Sequence, residues 1–468
     1  SQDQYLLASQ ADEIITHPLG GVVLEGFSSF RNYFRQALEN ISVNVHVFRA
    51  GEHKSAMEPF MRDDMSPGEK EVTGRWLQVL WDQYTSAVES RRELPPGAIN
   101  DYSNRFAERL KESDGNTARL ALEAGLVDQL LGRKEVNDYL VEMVGASDED
   151  GLYEAVTFER YVSRQRPSLL ETVEGERVAV ITAQGDMLPG DQPPGTIGGD
   201  SLASLIRTTA EEEDVKAIVL RVNSGGGSMF AAEVVRQELL RVRASGKPVV
   251  VSMGSVAASG GYYIAADADE IWASPSTITG SIGVFAAFPT FEKLLQRAGV
   301  STDGVGTTEM SGALRPDRPL NPQVVSALDS GVRHAYRSFL QIVADGRDMT
   351  LEEVRPLAEG RIWSAPDALD NGLVDALGSL EEAIDAAAAR ADLEDYEIDY
   401  VELPLSPREL LLAQLSKRMG SWGGWQFSSE NGVLSQLLRP VREATRELSI
   451  LQDPGHLYMR CITCAGLQ

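Results

Sequence analysis

Cysteine, histidine and lysine are scarce in this 468-residue chain, and each scarcity closes off some chemistry. Only two cysteines occur, Cys461 and Cys464 in C-I-T-C near the end, with no second pair and no histidine cluster beside them. No metal site is expected from them, and a local disulfide or two idle thiols is the simpler reading. The five histidines, His17, His46, His53, His334 and His456, are scattered, with no carboxylate at a spacing that suggests a catalytic triad. G-x-S-x-G and H-E-x-x-H are both missing. There is no run of about eighteen apolar residues, and the opening S-Q-D-Q-Y-L-L-A-S has no basic stretch followed by an apolar one. Neither a transmembrane helix nor a signal peptide is therefore visible. Positive charge is also in deficit: 43 Lys and Arg stand against 70 Asp and Glu, a formal charge of -27. That argues against a nucleic-acid partner, because phosphate binding needs a basic footprint. The acidity itself reads as solvated surface.

What is present is the profile of a globular α/β protein, with 43% apolar residues and 42 glycines. The chain also resembles itself. L-L-A-S-Q-A-D-E-I-I-T-H-P at 6–18 aligns with Y-I-A-A-D-A-D-E-I-W-A-S-P at 263–275, pairing Asp12 with Asp269 at a shift of 257. Further on, E-A-G-L-V-D ending at Asp128 matches D-N-G-L-V-D ending at Asp375, at a shift of 247. Two matches in the same order mark a duplicated unit, with about ten extra residues in the first copy. The first copy starts at the equivalent of residue 258, so its initial strands, roughly eighty residues by this arithmetic, are expected to have preceded Ser1.

The second copy reads clearly. R-V-A-V-I-T-A (177–183), K-A-I-V-L-R-V (216–222) and K-P-V-V-V-S-M (247–253) are apolar, β-branched runs of the kind buried on both faces of a sheet. Helix-length stretches with apolar residues at helical spacing lie between them, which predicts a mostly parallel sheet with right-handed crossovers. The expected organisation is the later part of a first repeat (1–145), a polar connecting segment (146–175), a second repeat (176–395) and a helical tail (396–468) serving packing or assembly.

The chemistry concentrates in two glycine-rich turns. In K-P-V-V-V-S-M-G-S-V-A-A-S-G-G-Y-Y a buried strand runs into Ser259 at the start of a helix. Such a serine can be a plain helix cap. A second turn, N-S-G-G-G-S (223–228), follows the preceding strand, so both should open at the same sheet edge, where open α/β sheets place their sites. The Gly227 and Gly260 amides are candidates for an oxyanion hole, the alternative being two tight turns only. A serine hydroxyl needs a base, and a buried lysine whose charged form is disfavoured can supply one. Of eight lysines, Lys216 and Lys247 open buried strands at the far end, and Lys70, Lys111, Lys134, Lys293 and Lys417 sit in polar helical contexts. Lys54 leads out of an apolar run into small residues, H-V-F-R-A-G-E-H-K-S-A-M-E-P-F, although a solvated lysine remains open on this evidence.

Four segments taken together, M-x-x-x-A-A-S-G-G-Y, N-S-x-G-G-S, P-S-T-I-T-G-S-I-G and R-A-G-x-x-K-S-A-x-E-P-F-x-R-D-D-M-S-P, resemble signal peptide peptidase A in its long duplicated form, the protease IV type. The resemblance spans nearly the whole chain. It implies two tandem repeats of the Clp-protease/crotonase-like α/β fold, the first truncated at its start, and a Ser-Lys dyad divided between the repeats. By motif the nucleophile would be Ser259, the general base Lys54, and Ser281 the hydroxyl that orients the lysine amine. The family's glycine turn usually reads N-S-P-G-G, and this chain has Gly225 in the proline position. The repeat shift agrees with a divided dyad: Lys54 maps onto Ser311 and Ser259 onto Gln2, so each copy holds one half.

The resulting expectation is a serine endopeptidase that needs no metal or cofactor. The resemblance implies that it degrades cleaved signal peptides and other apolar peptides left in the membrane after secretory-protein processing. It further implies a homotetramer on the periplasmic side of a bacterial inner membrane, held there by an N-terminal anchor absent from this sequence. Crotonase-like acyl-CoA chemistry is a rival on the same fold, and a non-catalytic peptide-binding scaffold is a rival of another class.

Overall fold

The computed structural model describes residues 2–147, 152–165, 175–402, 451–461 and 464. The chain divides into two compact units, one formed by residues 1–28 and 77–173, the other by residues 29–76 and 174–468. The second unit therefore takes a piece of the first repeat into its own structure.

The first unit is mainly helical around a short parallel pair, β1 (Ile15–Thr16) with β3 (Gln129–Leu130). Its core gathers Tyr5, Ile14, Tyr84, Val88, Tyr102, Leu120 and Leu126.

The second unit holds two sheets. The larger is built on β4 (Arg177–Gln184), β7 (Val215–Ser224), β9 (Val249–Ala258), β11 (Ile278–Gly280), β13 (Ile362–Ser364) and β15 (Glu397–Val401), in the order β13-β11-β9-β7-β4-β15. Two further strands, β10 (Glu270–Ala273) and β14 (Ala376–Leu377), branch from β9. Every pairing is parallel except β11 with β13. Side chains alternate across a strand, so the apolar runs of β4, β7 and β9 serve two cores at once. Ile181, Leu220 and Val251 point to the layer that includes Tyr262, Phe339 and Val343, whereas Val180, Val219 and Val250 meet the helix Leu380–Arg390.

The smaller sheet runs β2-β12-β16-β8-β5-β6, from β2 (Asn44–Ala50) through β12 (Val284–Thr290), β16 (Tyr458–Arg460), β8 (Gly226–Ser228) and β5 (Met187–Leu188) to β6 (Ile197–Gly198). It joins distant parts of the sequence: β2 comes from the first repeat and pairs antiparallel with β12 along seven registered positions, from Asn44 opposite Thr290 to Ala50 opposite Val284.

The duplication read from the sequence recurs as matched hydrogen bonds. Asp128 accepts from the Ile14 amide at 2.7 Å, and Asp375 accepts from the Ile271 amide at 2.7 Å. Tyr5 donates to the Leu126 carbonyl at 2.7 Å, and Tyr262 to that of Leu373 at 2.8 Å. Arg92 binds Asp128 and the Gly125 carbonyl, as Arg347 binds Asp375 and the Gly372 carbonyl. The parallel pair β1–β3 corresponds likewise to β10–β14.

The tail differs from the helical reading of it. It opens on a strand, β15, which closes one edge of the larger sheet, and its last described residues form β16 in the middle of the smaller one. The amphipathic stretches and the G-S-W-G-G-W turn expected between them lie outside the described residues.

The buried Tyr262 hydroxyl ties the helix Gly260–Ala265 to Leu373. Tyr262→Phe leaves that carbonyl without its donor and is expected to cost about 1–3 kcal/mol, read as a lower urea midpoint at unchanged slope.

Candidate active site

At the end of β9 the chain turns sharply into the helix Gly260–Ala265, and Ser259 occupies the corner with φ 56 and ψ -113. A side chain at positive φ is strained by roughly 1–3 kcal/mol, a cost that persists only when the surroundings enforce it. Here the Ser259 amide donates to the Gly280 carbonyl at 2.7 Å and its carbonyl accepts from Tyr263 at 2.8 Å. Although Ser259 stands where a cap would, its side chain makes no capping bond. The hydroxyl is turned toward Lys54 instead.

Nζ of Lys54 lies 2.6 Å from the Ser259 hydroxyl oxygen, and it donates to the Ser281 carbonyl at 2.9 Å and to the Ser281 hydroxyl at 3.1 Å. All three residues are buried. A neutral amine has two N–H groups and one lone pair, which satisfies this set: the two donors go to Ser281 and the lone pair faces the Ser259 hydroxyl. Burial is the cause of the amine's low basicity, pulling its pKa down from 10.5 to about 7. Among the described residues no carboxylate joins these contacts to hold the proton on.

The lysine reaches the serine because of how the first repeat's segment is folded in. β2 runs along β12 to Ala50, a turn follows, and the Lys54 side chain then passes over Gly283, whose Cβ position would be only 3.1 Å from Lys54 Cδ. On the other side the turn at Glu359–Arg361 closes in. The Glu359 carbonyl accepts from His53 at 2.7 Å, its carboxylate accepts from the Glu52 amide at 2.9 Å, and Gly360, at φ 78, packs against the Lys54 backbone. The K-S-A-x-E-P-F motif fixes the rest: Ser55 donates to the buried Glu69 carboxylate at 2.6 Å, and Glu58 accepts from the Ser66 amide at 3.1 Å.

Ser281 also sits at positive φ, 51, directly after Gly280, and its amide donates to Arg361. Thr277 and Thr279 brace this segment by donating to the carbonyls of Gly254 and Ala257 at 2.6 and 2.7 Å.

Of the two glycines singled out in the sequence, Gly260 packs against Gly226, the neighbour of Gly227: a Cβ built on Gly226 would be 2.4 Å from the Gly260 nitrogen. Gly260 opens its helix, so its amide has no acceptor within that helix. Gly227 lies in β8, between Met187 of β5 and Met459 of β16. Sequence reasoning missed Gly283, the Glu359–Arg361 turn and the Met459 strand. The glycine after Ser281 in T-G-S-I-G was the one available signal.

The model of peptidase family S49 matches residues 1–140 and 241–394. The chain belongs to peptidase family S49. Over 475 residues, all of this chain and 75% of the relative, it is 38% identical to Protease 4 of Salmonella typhi. Protease 4 of Haemophilus influenzae is 36% identical over 485 residues, again all of this chain and 76% of the relative. A putative signal peptide peptidase SppA of Enterococcus faecium is 32% identical over 234 residues, which is 49% of this chain and 66% of that protein. The chain is a serine peptidase with the mostly parallel α/β architecture of that family.

Gly360 gives a direct test of how the lysine is held. A Cβ there would sit 2.5 Å from the Lys54 amide nitrogen, at a backbone angle unfavourable to any side chain. Gly360→Ala is expected to lower stability by about 1–3 kcal/mol and to cut kcat/KM at least tenfold. Gly304→Ala, where a Cβ meets nothing within 4 Å, should leave both unchanged.

Proposed function

We propose that this peptidase hydrolyses peptide bonds through a Ser259–Lys54 dyad and that its substrates are signal peptides left after secretory-protein processing. The observation carrying the mechanism is the 2.6 Å approach of a buried, weakly basic amine to a buried serine hydroxyl. Neutral Lys54 takes the proton as Ser259 Oγ attacks the substrate carbonyl. The negative charge that develops on the carbonyl oxygen is met by the Gly227 and Gly260 amides. Lys54 then returns its proton to the leaving amine, and water, activated by the same lysine, releases the acyl half. Ser281 keeps the lone pair aimed at Ser259 by accepting both N–H groups.

The substrate class is supported by the name of the Enterococcus faecium relative and by the four motifs shared with signal peptide peptidases. The same reading locates the work on the periplasmic side of a bacterial inner membrane, in a homotetramer. Cys461 and Cys464 form a disulfide, which suits an oxidising compartment. Among the described residues no helix is long and apolar enough to cross a membrane.

The mechanism makes the rate depend on deprotonated Lys54. Activity on a peptide ester should rise with pH through an apparent pKa of about 7. Ser259→Ala and Lys54→Met should each lose about 10²–10⁴-fold or more. A fluorophosphonate should label wild type at Ser259.

Stability should also rise with pH. Between about 7 and 10.5 the unfolded chain keeps a lysine proton that the folded chain has released, so stability gains from this residue as pH rises across that window. Lys54→Met is therefore expected to melt higher than wild type, with the largest difference below pH 7 and little near pH 10.5. Equal melting temperatures at pH 6 would contradict a desolvated lysine.

For the substrate, kcat/KM on synthetic signal peptides should exceed that on polar peptides of equal length by at least tenfold. Equal values would leave a general peptidase.

A further inference from the structure

The smaller sheet is continuous only because β16 fills the space between β8 and β12. It pairs antiparallel with both, Tyr458 opposite Phe285 on one side and Tyr458, Met459 and Arg460 opposite Ser228, Gly227 and Gly226 on the other. Without it, two strand edges would face each other across a slot about 9–10 Å wide, the width of one inserted strand. An extended peptide enters such a slot by adding main-chain hydrogen bonds at both edges.

The phase of the ladder fixes which carbonyl meets the glycine turn. Met229 donates to the Leu457 carbonyl at 3.1 Å, and Cys461 donates to that of Gly225 at 2.8 Å. In an antiparallel pair hydrogen-bonded and non-bonded positions alternate, so Gly227 and Met459 form the bonded pair between them. The Met459 carbonyl therefore receives the Gly227 amide. The same oxygen lies near Gly260: a Cβ built on Gly260 would be 3.1 Å from the Met459 oxygen, and one built on Gly226 would be 2.4 Å from the Gly260 nitrogen. Met459 thus presents its carbonyl to the Gly227 amide, close to Gly260, and its fully buried side chain lies in the same core as Met187.

The strand is anchored on both sides. Asp453, itself buried, accepts from the Ser228 hydroxyl at 2.5 Å and from the Phe230 amide at 3.0 Å, while its other oxygen accepts from Gly455 and Leu457 at 2.8 and 3.1 Å. Arg460 pairs with Asp186 at 3.1 Å, and Tyr458 packs on Phe285 with ring centroids 5.6 Å apart. The Cys461–Cys464 disulfide closes the chain directly after the strand.

We infer that residues 453–461 are an autoinhibitory strap: the tail of this peptidase lies in its own substrate slot in the register of a bound peptide, with Met459 in the position of the residue contributing the scissile carbonyl. Substrate can enter only as the strap leaves. The inference rests on the dyad reading, in that the slot it closes is the one Ser259 serves.

Two full-length variants test it. Asp453→Ala removes the carboxylate anchor, and Met459→Pro deletes the Met459 amide and cannot sit in a central strand. Each is expected to raise kcat/KM on a peptide ester, and the rate of fluorophosphonate labelling at Ser259, by tenfold or more, chiefly through a lower KM. Thermal melts establish that each variant is folded. If folded variants label and turn over no faster than wild type, the strap is overturned while the dyad stands. If neither wild type nor the folded variants are ever labelled at Ser259, the dyad reading fails first.

A second measurement needs no turnover. In the Ser259→Ala protein, hydrogen exchange at the Met459 and Cys461 amides should accelerate at least tenfold when an apolar decapeptide binds, and unchanged exchange with peptide bound counts against the strap. Intact mass supplies a last check: a chain ending at Met459 would identify the segment as a substrate and overturn its inhibitory role.

Discussion

Removing one ammonium group from water organises the second unit. Lys54 is enclosed by Gly283 beneath its side chain, the Glu359–Arg361 turn against its backbone and Ser281 around its amine. Enclosure at this level disfavours the charged form and brings the amine's proton affinity near neutrality. Those walls come from two stretches far from the lysine in sequence. Ser281 and Gly283 lie just before β12, the turn precedes β13, and the lysine follows β2 out of the first repeat. Enclosing this lysine thus requires the sheet, the second repeat and the donated strand to be assembled together.

Ser259, the proposed nucleophile, obeys the same logic on a smaller scale. Ser259 is held at positive φ by a bond to Gly280, itself at positive φ, and the next residue, Ser281, is the third non-helical corner of the site. The two strained serines sit at the ends of adjacent parallel strands, β9 and β11, whose register sets Ala258 beside Gly280. Strand pairing fixes the distance between them, and threonines 277 and 279 lock that pairing through buried side-chain bonds. Rigid elements rather than loops set the geometry, which is how a site reaches the precision that proton transfer requires.

Much of this was legible in the residues. The apolar runs named three central strands because a strand buried on both faces has no polar alternation to hide it. Small-residue turns after two of them named Ser259, Gly227 and Gly260, since backbone that approaches a reacting atom leaves little room for side chains. Lys54 stood out by its company. What stayed hidden has a common cause in sequence distance. Gly360 touches Lys54 from 306 positions away with no motif of its own, and the Tyr458–Arg460 strand is three residues long, too short for any periodicity. The repeats were visible as sequence, yet the compact units cut across them, because the strand that carries the lysine pairs with β12 rather than with its own copy.

The direction of both edges of the slot has a consequence for what the enzyme can accept. β8 and β12 each pair antiparallel with the strand between them, so a guest polypeptide taking that strand's place would have to offer unpaired amides and carbonyls along both sides. Helices and folded domains spend those groups internally. If the strap marks the substrate slot, selection against folded proteins follows from backbone availability ahead of side-chain preference, and a bystander domain is spared without any recognition of its surface.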